Sequence, residues 1–230
     1  MPLVRLIVAG DARAVTKHLD AQPSLVTAPF KLGATRGNPT DYFFDAIRHY
    51  VYEGDTALHM AAAAMQPKIV RDLLKRKADP RAVNRRGASP LHYAVDGGPC
   101  SAHWTDGAQA SIIEALLDAG ADLAAVDKGG VTALHRAVRN RTSPGVAALL
   151  SRGASATAPN KSGSRPLHLA VQSTGKSGSG SAGAQAEQRR IIELLLAHGA
   201  SWKDRDAKGQ PVTQLIQSDW IRALVDYLPR

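Results

Sequence analysis

The run with the most recognisable chemical spacing is Ala170 to Ser177, which reads AVQSTGKS. It fits a relaxed phosphate-binding loop, in which backbone N–H groups cradle a phosphate and the lysine reaches its oxygens. Such a loop needs a strand before it and a helix N-terminus after it. The preceding residues have a helical pattern, and the following GSGSAGAQAE is typical of a flexible Gly and Ser run. The sequence therefore disfavours a nucleotide-binding enzyme.

Histidines are the second candidate for chemistry, because imidazole is a common metal ligand. Four of them, His59, His92, His135 and His168, occur once in each copy of a repeated motif. Equivalent residues of packed helices lie about 10 Å apart, whereas zinc ligands share a metal at about 2 Å. We therefore predict a structural role for these histidines, with no metal and no cofactor. No Ser, His and Asp set, carboxylate pair or CxxC pattern indicates a catalytic centre, so we expect a protein that is not an enzyme.

Composition bounds the class of protein. The chain has 230 residues, of which 44% are apolar, enough to bury a substantial core. Cys100 is the single cysteine, which is compatible with a reducing compartment. The first fifteen residues hold only a short apolar run, which predicts neither a secretion signal nor a membrane span. A cytoplasmic location without a membrane partner is the resulting prediction, and the formal charge of +9 favours acidic partners.

A nine-residue motif recurs four times along the chain. The copies are GDTALHMAA from residue 54, GASPLHYAV from 87, GVTALHRAV from 130 and GSRPLHLAV from 163. Each copy precedes an apolar pattern of helical period, and each unit closes in KAD, GAD or GAS. Tetrads such as NRRG and DKGG begin with Asn or Asp and end with Gly, as tight turns prefer. Each unit therefore predicts a turn and two helices, whose apolar faces need a neighbouring unit.

This pattern resembles the ankyrin repeat over residues 54–228, with a weaker copy at 3–27. The resemblance implies an all-α solenoid of helix-turn-helix units with finger turns, about six units including degenerate caps. We expect one domain over 1–230. Its parts are a cap repeat at 1–27, an inserted aromatic helix at 28–53, repeats at 54–86, 87–129, 130–162 and 163–208, and a closing cap at 209–230.

The resemblance also implies roles for particular residues. In ankyrin repeats the motif histidine bonds to the Thr or Ser three residues earlier, here Thr56, Ser89 and Thr132, whereas Arg165 replaces that hydroxyl in the last copy. Partners of the family bind the finger turns and the outward positions of the first helices. The matching residues are Met60, Tyr93, Arg136 and Leu169 on the helices, with Arg86, Lys128, Lys161, Arg165 and Lys208 near the turns.

The insert at 28–53 concentrates aromatic residues. Asn38 followed by Pro39 predicts the start of a helix. Helical spacing then sorts its residues onto two sides. One side, predicted to be core, is Phe43, Phe44, Ile47, Tyr50 and Val51. The other is Tyr42, Asp45, His49 and Tyr52, which fits either a partner contact or a solvated face with an Asp45–His49 pair.

Two further segments lengthen their repeats, at 97–110 and 172–187. The first contains Trp104, which either covers helix ends or contacts a partner. The second is predicted to be a solvated tether.

These features together predict a non-enzymatic scaffold that mediates protein–protein interaction through its concave groove and the inserted helix. An acidic segment of another protein would suit the basic part of that groove. The alternative is binding of nucleic acid or another polyanion, which the positive charge motivates.

Overall fold

The structure is a computed structural model that describes residues 1–97, 105–172 and 180–228. The chain divides into two compact units, Met1–Lys128 (unit 1) and Gly129–Arg230 (unit 2). The assignment of the whole chain to a single domain stays a prediction. In unit 1 the helices are α1 (Pro2–Ala9), α2 (Ala12–Ala21), α3 (Ala57–Ala63), α4 (Pro67–Lys75), α5 (Pro90–Ala94) and α6 (Asp106–Asp118). In unit 2 they are α7 (Ala133–Arg139), α8 (Ser143–Ser151), α9 (Pro166–Ala170), α10 (Ala182–Ala197) and α11 (Asp219–Tyr227).

Helices pack in pairs that stack on the next pair within each unit. In unit 1, α3 packs against α1, α4 and α5, and α6 packs against α4 and α5. In unit 2, α7 packs against α8 and α9, and α10 packs against α8 and α9. The motif leucines Leu58, Leu91, Leu134 and Leu167 are all at most 2% exposed, as their recurrence predicted. The expected all-α architecture of stacked repeats is thus confirmed within each unit.

The motif histidines hold the first helices and their turns, which confirms their predicted structural role. The Nδ1 atom of His59 lies 3.0 Å from Thr56 Oγ1, and its Nε2 atom lies 3.1 Å from the carbonyl of Ala88 in the next repeat. The Ser89–His92 and Thr132–His135 pairs repeat the first contact at 2.9 and 2.8 Å. Where Arg165 replaces the hydroxyl, its backbone N–H donates to the Nδ1 atom of His168 at 3.2 Å.

Finger turns lie side by side and share backbone hydrogen bonds. In unit 1 the N–H of Arg85 donates to the carbonyl of Glu53, and the N–H of Lys128 donates to the carbonyl of Arg86, both at 2.8 Å. In unit 2, Lys161 and Ala207 donate in the same way to Gly129 and Ser162. The Asn-first, Gly-last tetrads therefore form turns as predicted, with φ of 74° at Gly87, a conformation that glycine adopts without strain.

The insert is not the predicted helix. It contains the short strands β1 (Phe43–Phe44) and β2 (His49–Tyr50), which pair antiparallel, with 3-10 turns at Thr40–Tyr42 and Asp45–Ile47. Asn38 does start a turn, since its side chain donates to Asp41 at 2.8 Å, but the turn ends at Tyr42. Of the predicted core stripe, Ile47 and Val51 are buried, whereas Phe43, Phe44 and Tyr50 are half-buried.

Tertiary hydrogen bonds explain why this segment is extended. Residues 50–54 stand in the same register before their glycine as residues 83–87, so they form the finger of the first repeat. The N–H of Ala34 donates to the carbonyl of Val51 at 2.7 Å, and the N–H of Phe30 donates to that of Asp55 at 2.7 Å. In a helix these carbonyl groups would accept bonds within the helix and could not accept the N–H groups of Ala34 and Phe30. Aromatic residues also favour strands, so propensity does not oppose the hairpin.

The two lengthened repeats use part of their extra residues as helix. In α6, Thr105 accepts the N–H of Ala108 at 3.1 Å as an N-cap, and in α10 Ser181 accepts that of Ala184 at 3.2 Å. The predicted tether at 172–187 is therefore wrong for its second half, because a serine cap and an alanine-rich run start a helix at Ala182. Trp104 and residues 173–179 lie outside the described residues.

Candidate interaction surface

Three of the four helix positions expected to face a partner are interior. Met60 is 0% exposed, Tyr93 1% and Arg136 8%, while Leu169 is half-buried. The expectation of exposure is corrected for these three residues. Tyr93 is covered by the insert, whose His49 ring lies against the Tyr93 ring at 4.4 Å between centroids. The insert therefore covers Tyr93, one of the helix positions that a partner was expected to reach.

Tyr93 anchors a buried polar network beneath the insert. Its ring also meets the His59 ring edge-on at 5.1 Å, and its hydroxyl donates to Asp55 Oδ2 at 3.0 Å. Asn84 Nδ2 donates to Asp55 Oδ1 at 2.8 Å, and the N–H of Tyr52 donates to Oδ2 at 2.7 Å. Asp55 is 0% exposed. Burial raises the pKa of Asp55, and the hydrogen bonds from Tyr52, Asn84 and Tyr93 oppose that rise.

Replacing Asp55 with asparagine is expected to lower the free energy of unfolding by about 2 kcal/mol, because three donors converge on a group that must then present its own N–H₂. Urea denaturation at neutral pH measures this. The matched control is Asp45→Asn in the hairpin, where the side chain is exposed and a change within about 0.5 kcal/mol is expected. Equal stabilities of the two variants would contradict the proposed role of the network.

The predicted partner face of the insert is divided between two environments. His49 pairs with Asp96 rather than Asp45, with 3.3 Å between Nε2 and Oδ2, and its Nδ1 atom lies 2.7 Å from the carbonyl of Tyr50. Asp45 is exposed and Tyr42 is half-buried. His49 thus fastens the hairpin to the end of α5, whereas Asp45 stays at the surface.

Two arginine side chains of the neighbouring finger lie over the ring of Tyr52. The guanidinium of Arg86 lies 4.9 Å from the ring centroid and donates from Nη1 to the tyrosine hydroxyl at 2.8 Å. The guanidinium of Arg85 lies 5.7 Å from the same centroid and donates to the carbonyl of Ala34. Both arginines are exposed. The aromatic ring therefore orients two cations at the surface, an arrangement that suits a carboxylate partner.

The partner-binding residues predicted from the sequence do not include Arg85 or the two exposed valines Val83 and Val126. These valines are 59% and 52% exposed, and each stands four residues before a finger glycine. A signal was present in the sequence, because aligning the repeats on Gly54, Gly87 and Gly130 places Val83 and Val126 at one position. The two valines are therefore exposed apolar residues at the same position of adjacent repeats, which makes them candidates for recognition.

The remaining predicted residues near turns keep the expected surface location in most cases. Lys128 and Lys161 are exposed, as is Lys208. Arg165 is half-buried, and its Nη1 atom donates to Asp204 at 3.0 Å. Arg165 is thus engaged in an ion pair within unit 2.

Positive charge is concentrated in unit 2. Unit 1 has fifteen Lys and Arg against fourteen Asp and Glu, a formal charge of +1. Unit 2 has fourteen against six, a formal charge of +8. The charge in unit 1 is therefore balanced overall, and its arginine pair is a local feature.

The described parts of the chain contain neither a candidate metal cluster nor a membrane-spanning helix. Within them no group of three or more His, Cys, Asp or Glu side chains could hold a metal ion. The helices in those parts are all too short or too polar to cross a bilayer. The residues before the phosphate-loop-like run belong to α9, so no strand precedes it, and Gly175 to Ser177 lie outside the described residues.

Comparison with known proteins gives matches at the level of the family. A model of three ankyrin repeats matches residues 100–206, and a single ankyrin repeat matches residues 53–85. No curated protein matches the chain significantly. The two family matches include His59, His135 and His168, whereas residues 86–99, with His92, lie between them. The chain belongs to the ankyrin repeat family.

Proposed function

We propose that this protein binds another protein through the finger face of unit 1, defined as residues 50–53, 83–86 and 126–128. Ankyrin repeats are protein-interaction modules in general. The observation that carries the specific proposal is the pair of guanidinium groups held over the ring of Tyr52. The insert contributes through this tyrosine, which follows β2 and lies in the first finger.

The chemistry of the finger face favours an acidic segment of the partner. Arg85, Arg86 and Lys128 are exposed there, and Glu53 is the exposed carboxylate among the same residues. Contacts with Tyr52 and the insert restrict both arginine side chains before binding, which reduces the entropy lost when a carboxylate is bound. Arginine also offers paired N–H donors that match a carboxylate.

Only some of the residues predicted to line the concave groove stay part of this proposal. Met60 and Tyr93 are both buried, and at Tyr93 the insert takes the place that a partner side chain would otherwise occupy. In unit 2, Lys161, Arg165 and Leu169 stay candidates for partner contact, and Trp104 stays a candidate outside the described residues. The basic turns of unit 2 extend the acidic preference to that unit.

A double charge reversal, Arg85→Glu with Arg86→Glu, is expected to lower affinity for the natural partner at least tenfold. The partner is isolated by affinity capture on the wild-type chain, and binding of the purified pair is then measured by calorimetry. The matched control is Arg189→Glu with Arg190→Glu on α10, which are exposed and change the net charge equally. The single variant Arg86→Glu separates the loss of charge from a loss of structure, because it leaves the bond from Arg85 to the carbonyl of Ala34 in place. Partner affinity that is equal in all these variants would remove the finger face from the proposal.

Binding of a polyanion is the second candidate, and the charge of +8 in unit 2 favours it. Such binding depends on counterion release and weakens steeply as salt rises. Titration with single-stranded DNA from about 50 to 200 mM salt therefore tests it, as this range costs a polyanion complex several orders of affinity. Failure to bind the oligonucleotide at low salt would exclude this candidate.

A further inference from the structure

Two parallel rows of side chains cross the finger face of unit 1. The first row consists of the residues four positions before the finger glycines, Tyr50, Val83 and Val126. The second row consists of those two positions before them, Tyr52, Arg85 and Lys128. Backbone bonds between neighbouring fingers, from Arg85 to Glu53 and from Lys128 to Arg86, place the members of each row side by side.

The first row is apolar and accessible. Val83 and Val126 are two of five large apolar residues that are markedly exposed in the described parts of the chain. Tyr50 is half-buried at the end of the row and stacks with Phe43 at 4.7 Å between ring centroids. Exposed apolar side chains in register on adjacent repeats form a recognition surface, since exposure of each one alone has a hydration cost that burial under a partner would remove.

The second row is polar and carries cations. Tyr50 and Tyr52 have ring centroids 6.2 Å apart, so the two rows adjoin at the insert. Beyond Tyr52 the second row continues with the exposed cations Arg85 and Lys128. If a segment of a partner lies along the first row, its side chains on the side of the second row are next to these cations. Acidic residues of the partner fit these positions.

The spacing of the fingers selects the conformation of such a segment. Packed helices, and hence the fingers attached to them, repeat at about 8–10 Å. A polyproline II helix returns to the same face every third residue, after about 9 Å. In a β-strand the same face recurs every second residue, after about 7 Å, which does not match.

We propose that the finger face of unit 1 receives an acidic segment in polyproline II conformation, with an apolar side chain at every third position. The apolar side chains contact Tyr50, Val83 and Val126 in turn. The acidic side chains between them contact Arg85, Arg86 and Lys128. This inference rests on the proposed protein-binding function and adds the class of segment that is bound.

The test uses the full chain and synthetic fluorescein-labelled peptides in an anisotropy titration. The probe is a twelve-residue peptide of four Leu-Pro-Glu repeats. One control peptide has the same composition with the leucines grouped at one end, and another has lysine in place of glutamate. We expect the periodic acidic peptide to bind at least tenfold tighter than either control.

The variant Val83→Ser with Val126→Ser is expected to lower the affinity for the periodic peptide at least tenfold. Both side chains are exposed, so the free energy of unfolding should stay unchanged, which urea denaturation checks. Tyr227→Ser is the matched control, because Tyr227 is an exposed apolar residue on α11, 85% accessible, in unit 2. It should leave peptide affinity unaltered.

Three outcomes would overturn the inference: no binding of the periodic peptide, equal binding of the grouped peptide, or an unchanged affinity in the double valine variant. Binding of a twelve-residue oligothymidylate with the same affinity would also overturn it, since charge alone would then account for the complex. If a captured protein depends on Arg86 but binds through a segment without this periodicity, the inference fails while the proposed function stands.

Discussion

The Gly33→Ala variant is expected to lose about 3 kcal/mol of unfolding free energy, because an added methyl group there collides with backbone. A Cβ atom at Gly33 would lie 2.4 Å from the backbone N of Glu53 and 2.4 Å from the carbonyl carbon of Tyr52. Neither atom belongs to a flexible side chain that could move aside. The segment at 30–34 must shift away from the first finger, which breaks the bond from Ala34 to Val51.

Urea denaturation measures the global effect, and hydrogen exchange at the Ala34 amide reports whether the insert separates locally. Gly37→Ala is the matched control in the same insert, because nothing lies within 4 Å of its added Cβ. The control should retain wild-type stability and exchange. Equal stability and equal exchange at Ala34 in the two variants would show that Gly33 is not packed against the backbone of Tyr52 and Glu53. If the expected result is obtained, Gly33→Ala also becomes a tool for testing whether the docked insert is needed for partner binding.

Lowering the pH from 7 to 5 should destabilise the wild-type chain, and His59 alone should account for about 2 kcal/mol of that loss. Burial lowers the pKa of His59 from its ordinary value of 6.5 to about 3. The unfolded chain takes up a proton below pH 6.5, whereas the folded chain keeps this imidazole neutral. The contribution to stability is therefore complete above pH 6.5 and is lost as the pH falls toward 3.

The variant His59→Gln separates this effect from that of other titrating groups. It should be less stable than the wild type at pH 7, by about 1 kcal/mol, because glutamine reproduces the bonds to Thr56 and Ala88 imperfectly. Its stability should nevertheless fall less steeply between pH 7 and 5, because about one proton fewer is taken up when this variant unfolds. His198→Gln, at an exposed position at the end of α10, is the matched control and should keep the wild-type stability at pH 7 within about 0.5 kcal/mol. A wild-type slope in His59→Gln would contradict the assignment of a neutral buried imidazole.

The two predictions concern opposite sides of one contact region. His59 lies beneath Tyr93, and Tyr93 lies beneath His49 of the insert. The insert, the Asp55 network and the motif histidine are therefore packed in layers from the surface to the core. The finger face is built on this stack, so its arginines and tyrosines are positioned by buried groups of the first two repeats.

Local pattern in the sequence was sufficient to predict the repeats, their helices and the role of the histidines. Each repeat makes the same short-range contacts, such as Thr56 to His59, three residues apart. The apolar positions of each helix recur with the helical period, so Leu58 and its equivalents could be assigned to the core before any fold was known. The exposed turn cations Arg86 and Lys128 were predictable for the same reason, because a tight turn projects its central side chains.

Only the tertiary structure decided the conformation of the insert and the accessibility of the residues near it. The spacing of Phe43, Ile47 and Tyr50 fits one face of a helix, but hydrogen bonds from residues 30–34 and from the second finger hold this stretch extended. The burial of Tyr93 beneath His49 follows from that docking, which joins residues more than forty positions apart, as in the contact of His49 with Asp96. Contacts of such separation leave no period in the sequence, and for this reason the covered Tyr93 ring and the paired arginines over Tyr52 became visible only in the folded chain.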